Sequence, residues 1–248
     1  MPDLEKPWVD HLEELRRRLI RVILFFTGFF VTGLFFNRPL IDVLTWPIAG
    51  LSIPLVFTSP AEGFLVTLKV AMCFALFASV PILLWHTWQF VKPGLQEKER
   101  GAVLPLFLAS SALFLAGAGF CYFLVLPVTL KFLLGFGSAH FQPFLSVGQY
   151  SSFVGFMLLA FGVSFNFPLV LIGLASLGIL TAAWLRHQRK IVILAIVILA
   201  AILTPSPDAL SQLLLAFPLY LLFEITVVVT SWMEKKKPGY SPQNLHCS

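Results

Sequence analysis

Two groups of carboxylates lie where the surrounding chain is basic and apolar. The first is in Asp10-His11-Leu12-Glu13-Glu14-Leu15-Arg16-Arg17-Arg18, directly before the first long apolar run. The second is in Gln96-Glu97-Lys98-Glu99-Arg100, between the second and third runs. Arginines beside a membrane span are expected, because they hold that end in the cytoplasm. Glutamates there are not, because anionic lipid repels them. Carboxylates kept within a basic band form a surface that receives a cation. Asp10 and Glu13 match a D-x-x-E capping box, which gives Glu13 a local task. Glu14 and Arg18 are spaced to neutralise each other on one helix face, yet Glu14 has no capping role. Glu97 and Glu99 repeat the pattern beyond the helix-breaking pair Pro93-Gly94.

A second set of polar residues falls inside apolar runs. Glu62 and Lys69 are seven residues apart on one helical face, Asn166 precedes Pro168, which removes a backbone donor and kinks its helix, and Glu224 and Gln212 share the last run. Ionisable groups at membrane depth face a bundle interior or a wet cavity and are functional candidates. Glu62 and Lys69 also read as a simple structural pair. The chain carries no Ser/His/Asp arrangement, H-E-x-x-H, G-x-G-x-x-G or phosphate loop, so no enzyme is expected. Five histidines are scattered without metal-ligand spacing. Cys73 and Cys121 read as small apolar filler, and neither a metal nor a cofactor is expected.

The elements that position these groups are membrane helices. The 248 residues are 58% apolar and 12% charged, with a mean hydropathy of +0.89. A soluble domain carries about twice that charge. Six spans are expected, over about 19–36, 62–85 (continuing along the interface to Phe90), 102–126, 149–176, 190–204 and 209–232. The first run lacks a cleavage pattern and reads as a retained helix. Lys and Arg total 17, and 14 of them fall on one side of this layout. That bias puts both termini in the cytoplasm. The net charge of +5 sits beside apolar runs and is no nucleic-acid footprint.

The two long segments on the other side, 37–61 and 127–148, carry several prolines. They are expected to form short amphipathic helices over the outer face. The fifth span, at 15 residues, is only about 22 Å long against a core of about 30 Å. It must be shielded by partner helices or extended by snorkelling arginines. The predicted fold is an all-α polytopic membrane protein: six transmembrane helices in a concave bundle with structured extracytoplasmic loops. Residues 1–232 form one membrane domain, and 233–248 a basic cytoplasmic tail without order.

These residues resemble a known family. His11-Leu12-x-Glu14-Leu15-Arg16-x-Arg18 resembles the N-terminal signature of TatC, the receptor subunit of the twin-arginine protein translocase. Phe90-x-x-Pro93-x-Leu95-x-x-x-Glu99-Arg100 resembles its first cytoplasmic loop, and Phe161-Gly162-Val163-Ser164-Phe165 its fourth helix. Thr204-Pro205-x-Pro207-Asp208-x-x-Ser211-Gln212 and Pro218-x-x-x-Leu222-x-Glu224 resemble the fifth and sixth. The resemblance implies a receptor for signal peptides with paired arginines, exporting folded precursors on the proton-motive force. It implies a peptide site at Glu14, Arg16, Phe90, Glu99 and Arg100. Carboxylates suit that task, because they accept bidentate hydrogen bonds from guanidinium groups. It further implies contact with single-span TatA- and TatB-type partners near Thr204 and Gln212, and assembly with other copies of the chain in inner-membrane lipid. Asn166 departs from the pattern: the family usually has a glutamate there, and asparagine keeps the polarity without the ionisation.

A secondary transporter of a small solute or ion is the alternative. It would use Glu62, Lys69, Asn166 and Glu224 as a permeation path. Transporters are frequently built from related halves, and no internal repeat is found here.

Overall fold

A computed structural model describes residues 7–51, 53–91, 101, 103–135, 144–176, 180–203 and 209–236. The chain runs α1 (Pro7–Phe35), α2 (Asn37–Thr45), a 3-10 turn (Trp46–Leu51), β1 (Leu55–Val56) and α3 (Glu62–Val91). It continues through α4 (Val103–Phe120), a π-turn (Cys121–Val125), α5 (Leu126–Gly135), β2 (Leu145–Ser146) and α6 (Val147–Ser164). It closes with α7 (Phe167–Ser176), α8 (Ala182–His187), α9 (Arg189–Leu203) and α10 (Ala209–Lys236). Among the described residues, five stretches are long and apolar enough to cross a membrane: Arg16–Phe35, Glu62–Gln89, Val103–Gly135, Val147–Ser176 and Gln212–Glu234. α9 has 15 residues, the short fifth span of the sequence.

Three boundaries differ from the sequence reading. α1 is already helical at Pro7, a residue suited to a first turn. Asp10 is therefore a position within the helix and not the one before it, and Glu13 accepts from Arg17 at 2.6 Å, one turn along. The third span does not stop at Pro127. The Leu126 N–H reaches back to the Cys121 carbonyl, a five-residue step that widens the turn ahead of the proline ring. A widened turn accommodates a ring that would clash with the carbonyl four residues back, so the helix runs on to Gly135. The fourth span breaks where Pro168 was expected to kink it, at Phe165–Asn166, into α6 and α7. The last helix extends to Lys236, and 237–248 lie outside the described residues.

The core lies where α3, α4 and α6 meet. α4 and α6 approach through two reciprocal sockets. A methyl group added at Gly162 would lie 2.6 Å from the Phe114 ring, and one at Gly117 would lie 2.7 Å from Phe165. Each helix thus gives a glycine to the other's phenylalanine. Phe114 and Phe161 are buried, and Phe120 stacks on both Phe161 and Phe165. α1 lies along α3 and leaves much of its apolar surface outward, including Leu24 and Phe25.

The segments between spans pack over one end of this core. α2 is the expected short helix, with Leu44 buried beneath it. Its final carbonyls, which a helix end leaves without partners, take hydroxyls from elsewhere. Tyr122 donates to the Val43 carbonyl at 2.6 Å, and Tyr150 to the Leu44 carbonyl at 2.8 Å. Trp46 stacks on Tyr122. The sequence held no sign of the next feature: β1 and β2 pair in parallel, Leu55 with Leu145 and Val56 with Ser146.

Candidate functional site

The candidate groups fall at three places. At the charged end, α1 carries Glu14 and Arg16 as helical positions, and α3 carries Phe90 in its last turn. Arg18 joins the two helices, donating to the His86 carbonyl at 3.0 Å. The Arg17 guanidinium beside Glu13 holds that exposed carboxyl below the ordinary glutamate range. Glu99 and Arg100 lie outside the described residues, so their proximity to Glu14 is not part of the geometry here.

At the opposite end of α3, Glu62 and Lys69 do not form an ion pair. Glu62 is buried, and its two oxygens are fully used. Oε1 accepts from the Ser146 hydroxyl and from the Gly148 N–H at 2.6 Å. Oε2 accepts from the Thr58 N–H and from its hydroxyl, the latter at 2.8 Å. One carboxylate thereby ties the loop before α3 to the start of α6. Gly148 is required for it: a methyl group there would lie 2.8 Å from Glu62 Oε1. Lys69 reaches the other end of the same peptide residue, donating to the Gly148 carbonyl at 3.3 Å and to Ser152 Oγ at 2.8 Å.

Thr58, Ser146, Gly148 and Ser152 were not singled out from the sequence. One signal was present. Ser146 and Gln149 form an S-x-x-Q start signature, and Ser146 does cap α6, accepting from the Gln149 N–H at 3.4 Å.

The third place is the interior of the helical layer. Asn166 sits at the α6–α7 break and lines an apolar cavity of about 280 Å³ with Trp88, Ser110 and Leu169. Its amide donates to the Gly162 carbonyl at 3.1 Å. Its Oδ1 is buried and, among the described residues, without a hydrogen-bond donor. Trp88 Nε1 donates to Ser110 Oγ across the same cavity at 3.0 Å. Glu224, on α10, is paired: Arg189 meets Oε2 at 2.8 Å, and the Tyr220 hydroxyl meets Oε1 at 3.0 Å. Gln212 donates to the Val197 carbonyl on α9 at 3.0 Å. Thr204 lies outside the described residues. Glu62, Asn166 and Glu224 are thus held by separate partners and do not line one cavity together.

The comparisons agree with this layout. A family profile described as "Sec-independent protein translocase protein (TatC)" matches residues 10–218. This chain belongs to the TatC family. A Sec-independent protein translocase protein TatC of Desulforapulum autotrophicum is 38% identical over 94% of this chain and 87% of its own length. One from Carboxydothermus hydrogenoformans is 36% identical over 96% and 98%. The crystal structure of a twin-arginine translocase receptor TatC superposes with a TM-score of 0.78 at 37% identity, covering 90% of this chain and 98% of that one. The same receptor crystallised in DDM gives 0.79. The chain is therefore a multi-pass inner-membrane protein and the core receptor subunit of a Sec-independent, twin-arginine translocase. The small-solute transporter reading falls with that assignment.

Proposed function

We propose that Glu14 and Glu99 together receive the paired arginines of export signal peptides on the cytoplasmic face. Arg16, Phe90 and Arg100 shape that surface. The observation that supports this most is the Arg18–His86 hydrogen bond, because it fixes the charged start of α1 beside the end of α3. Glu14 is one turn before Arg18. Glu99 follows Val91, the last residue of α3, by eight positions. Eight residues span at most about 29 Å when extended and far less when coiled, so the loop is short enough to return Glu99 to Glu14. Each carboxylate then offers a planar acceptor to one guanidinium.

In this reading both termini are cytoplasmic, in keeping with the basic residues clustered at those ends. The precursor is folded, and its export draws on the proton-motive force. Single-span TatA- and TatB-type proteins dock on the face near Thr204 and Gln212, and further copies of the chain complete the assembly. A short α9 with outward Ile191, Leu194, Ile198 and Ile202 suits contact with another span. Asn166 supplies polarity to the interior wall.

Binding of a twin-arginine signal peptide to the purified protein tests the central claim. Glu99→Gln should lose about 1.5–3 kcal/mol, the value of a hydrogen bond to a charged partner, while Glu97→Gln should bind as the parent does. Photocrosslinkers at positions 14 and 99 should both capture the same peptide. Parent-like binding by the Glu99 variant would end this reading.

A further inference from the structure

A cavity of about 560 Å³ opens between α3 and α6 at the end covered by β1 and β2. Its polar wall is Thr58, Ser59, Glu62, Ser146, Gln149 and Ser152, and its apolar wall is Leu65, Phe153 and Phe156. Leu65 and Phe156 are about half exposed, so the apolar wall opens outward toward lipid. Lys69 lies between the two walls.

The charges here are unevenly answered. Glu62 has four donors and no lone pair to spare. Lys69 has a carbonyl and a hydroxyl, and among the described residues no carboxylate meets it. An ammonium carries three donors, so one remains after these two. Its acceptors belong to the first turns of α6, which lifts the ammonium to the end of the helix layer, where headgroups lie. A cation at that depth, beside hydroxyls and above an outward apolar wall, complements an anionic group attached to a hydrocarbon chain.

We infer that this cavity seats one membrane phospholipid, its phosphate on Lys69 and the Ser59 hydroxyl, its acyl chain along Leu65 and Phe156. The volume lies within the range of about 300–1,000 Å³ usual for small-molecule sites. The phosphate supplies the charge that Lys69 lacks, and the chain covers an apolar surface that the described residues leave about half exposed. The lipid would brace α3 against α6 at the same seam that Glu62 ties.

Native mass spectrometry of the full chain, released from detergent after addition of phosphatidylglycerol, reads the site directly. Retained lipid should fall roughly tenfold or more in Lys69→Gln, the loss of a charge-assisted contact, and recover in Lys69→Arg. Leu65→Ser should weaken retention with the ammonium intact. Diacylglycerol with the same chains, lacking the phosphate, should be retained poorly by every variant. Glycerol phosphate, lacking the chains, should not compete. Equal retention of phosphatidylglycerol by parent and Lys69→Gln would overturn the site. Equal retention of diacylglycerol would remove the phosphate from it, and competition by glycerol phosphate would make it a soluble-anion site. A thermal melt of each variant in detergent keeps a folding defect from passing as lost lipid: a Lys69→Gln protein that melts with the parent and still retains the lipid refutes the proposal.

Discussion

Where α4 meets α6, each helix lends a glycine to the other's phenylalanine, and the seam is closed by rings. Where α9 meets α10, the seam is narrower. Ile196 and Ala200 are buried against α10, while Ile191, Leu194, Ile198 and Ile202 of the same helix face outward. Polar bonds hold this second region at intervals: Gln212 to Val197, Arg189 to Glu224, and Arg186 to Ser231. The Glu234 carboxylate also receives the Ala182 N–H at the start of α8, at 2.7 Å. The first region is specified by shape, since a packed glycine socket tolerates no added volume. The second is specified by a few directional bonds and keeps an apolar face open. In the function proposed above, where other helices dock on this chain, both kinds of seam have a use.

The largest expected effect is on the glycine sockets. Gly162→Leu should displace Phe114 and lower stability by about 1–3 kcal/mol or more, read as a fall in melting temperature in detergent. Gly119→Ala, where the added methyl meets nothing within 4 Å, should melt with the parent. Equal melting of the two variants would mean that shape does not specify the first region.

Glu62→Gln comes next. The amide nitrogen cannot accept, so two of four donors lose their partner, at about 1.5–3 kcal/mol for bonds to a charged group. The same melt, with the packing untouched, checks it.

Arg189→Ala should destabilise less than either, by about 1 kcal/mol or below, because both members of the pair are partly exposed. A loss as large as that of Gly162→Leu would mean that α9 is as firmly built in as α6. Gln212→Leu sharpens the contrast differently: melting should barely change, while co-purification of a single-span partner should weaken.

The smallest effect is at Glu13. Its carboxyl is held low in the folded chain, so the support it gives α1 is present above the ordinary glutamate range and lost as pH falls through the lowered value. The small difference in melting between Glu13→Gln and the parent should therefore vanish at acid pH.

The long apolar helices were legible because hydropathy over about 20 residues is a local property. The short fifth helix was legible for the same reason, since its length is counted directly. So was the break at Asn166-Phe167-Pro168, because a proline acts on its own turn. The continuation through Pro127 was not, since it depends on a widened turn that no residue announces. The Glu62 network was not legible either. Two of its donors, Ser146 and Gly148, lie more than 80 positions from Glu62 in the chain. Two polar residues seven apart on one helix looked like partners, and both found better ones across the seam.

The sequence by itself determined that this chain crosses a membrane through long apolar helices, with acidic residues retained in its basic bands. Its motifs determined the family. Only the tertiary structure decided which polar groups are spent on holding the fold. Glu62 and Glu224 are equally conspicuous as intramembrane carboxylates, yet one is enclosed by four hydrogen bonds and the other shares a half-exposed ion pair. Helix formation is settled by neighbours a few residues away, whereas the satisfaction of a buried charge is settled by whatever the fold brings within hydrogen-bond reach.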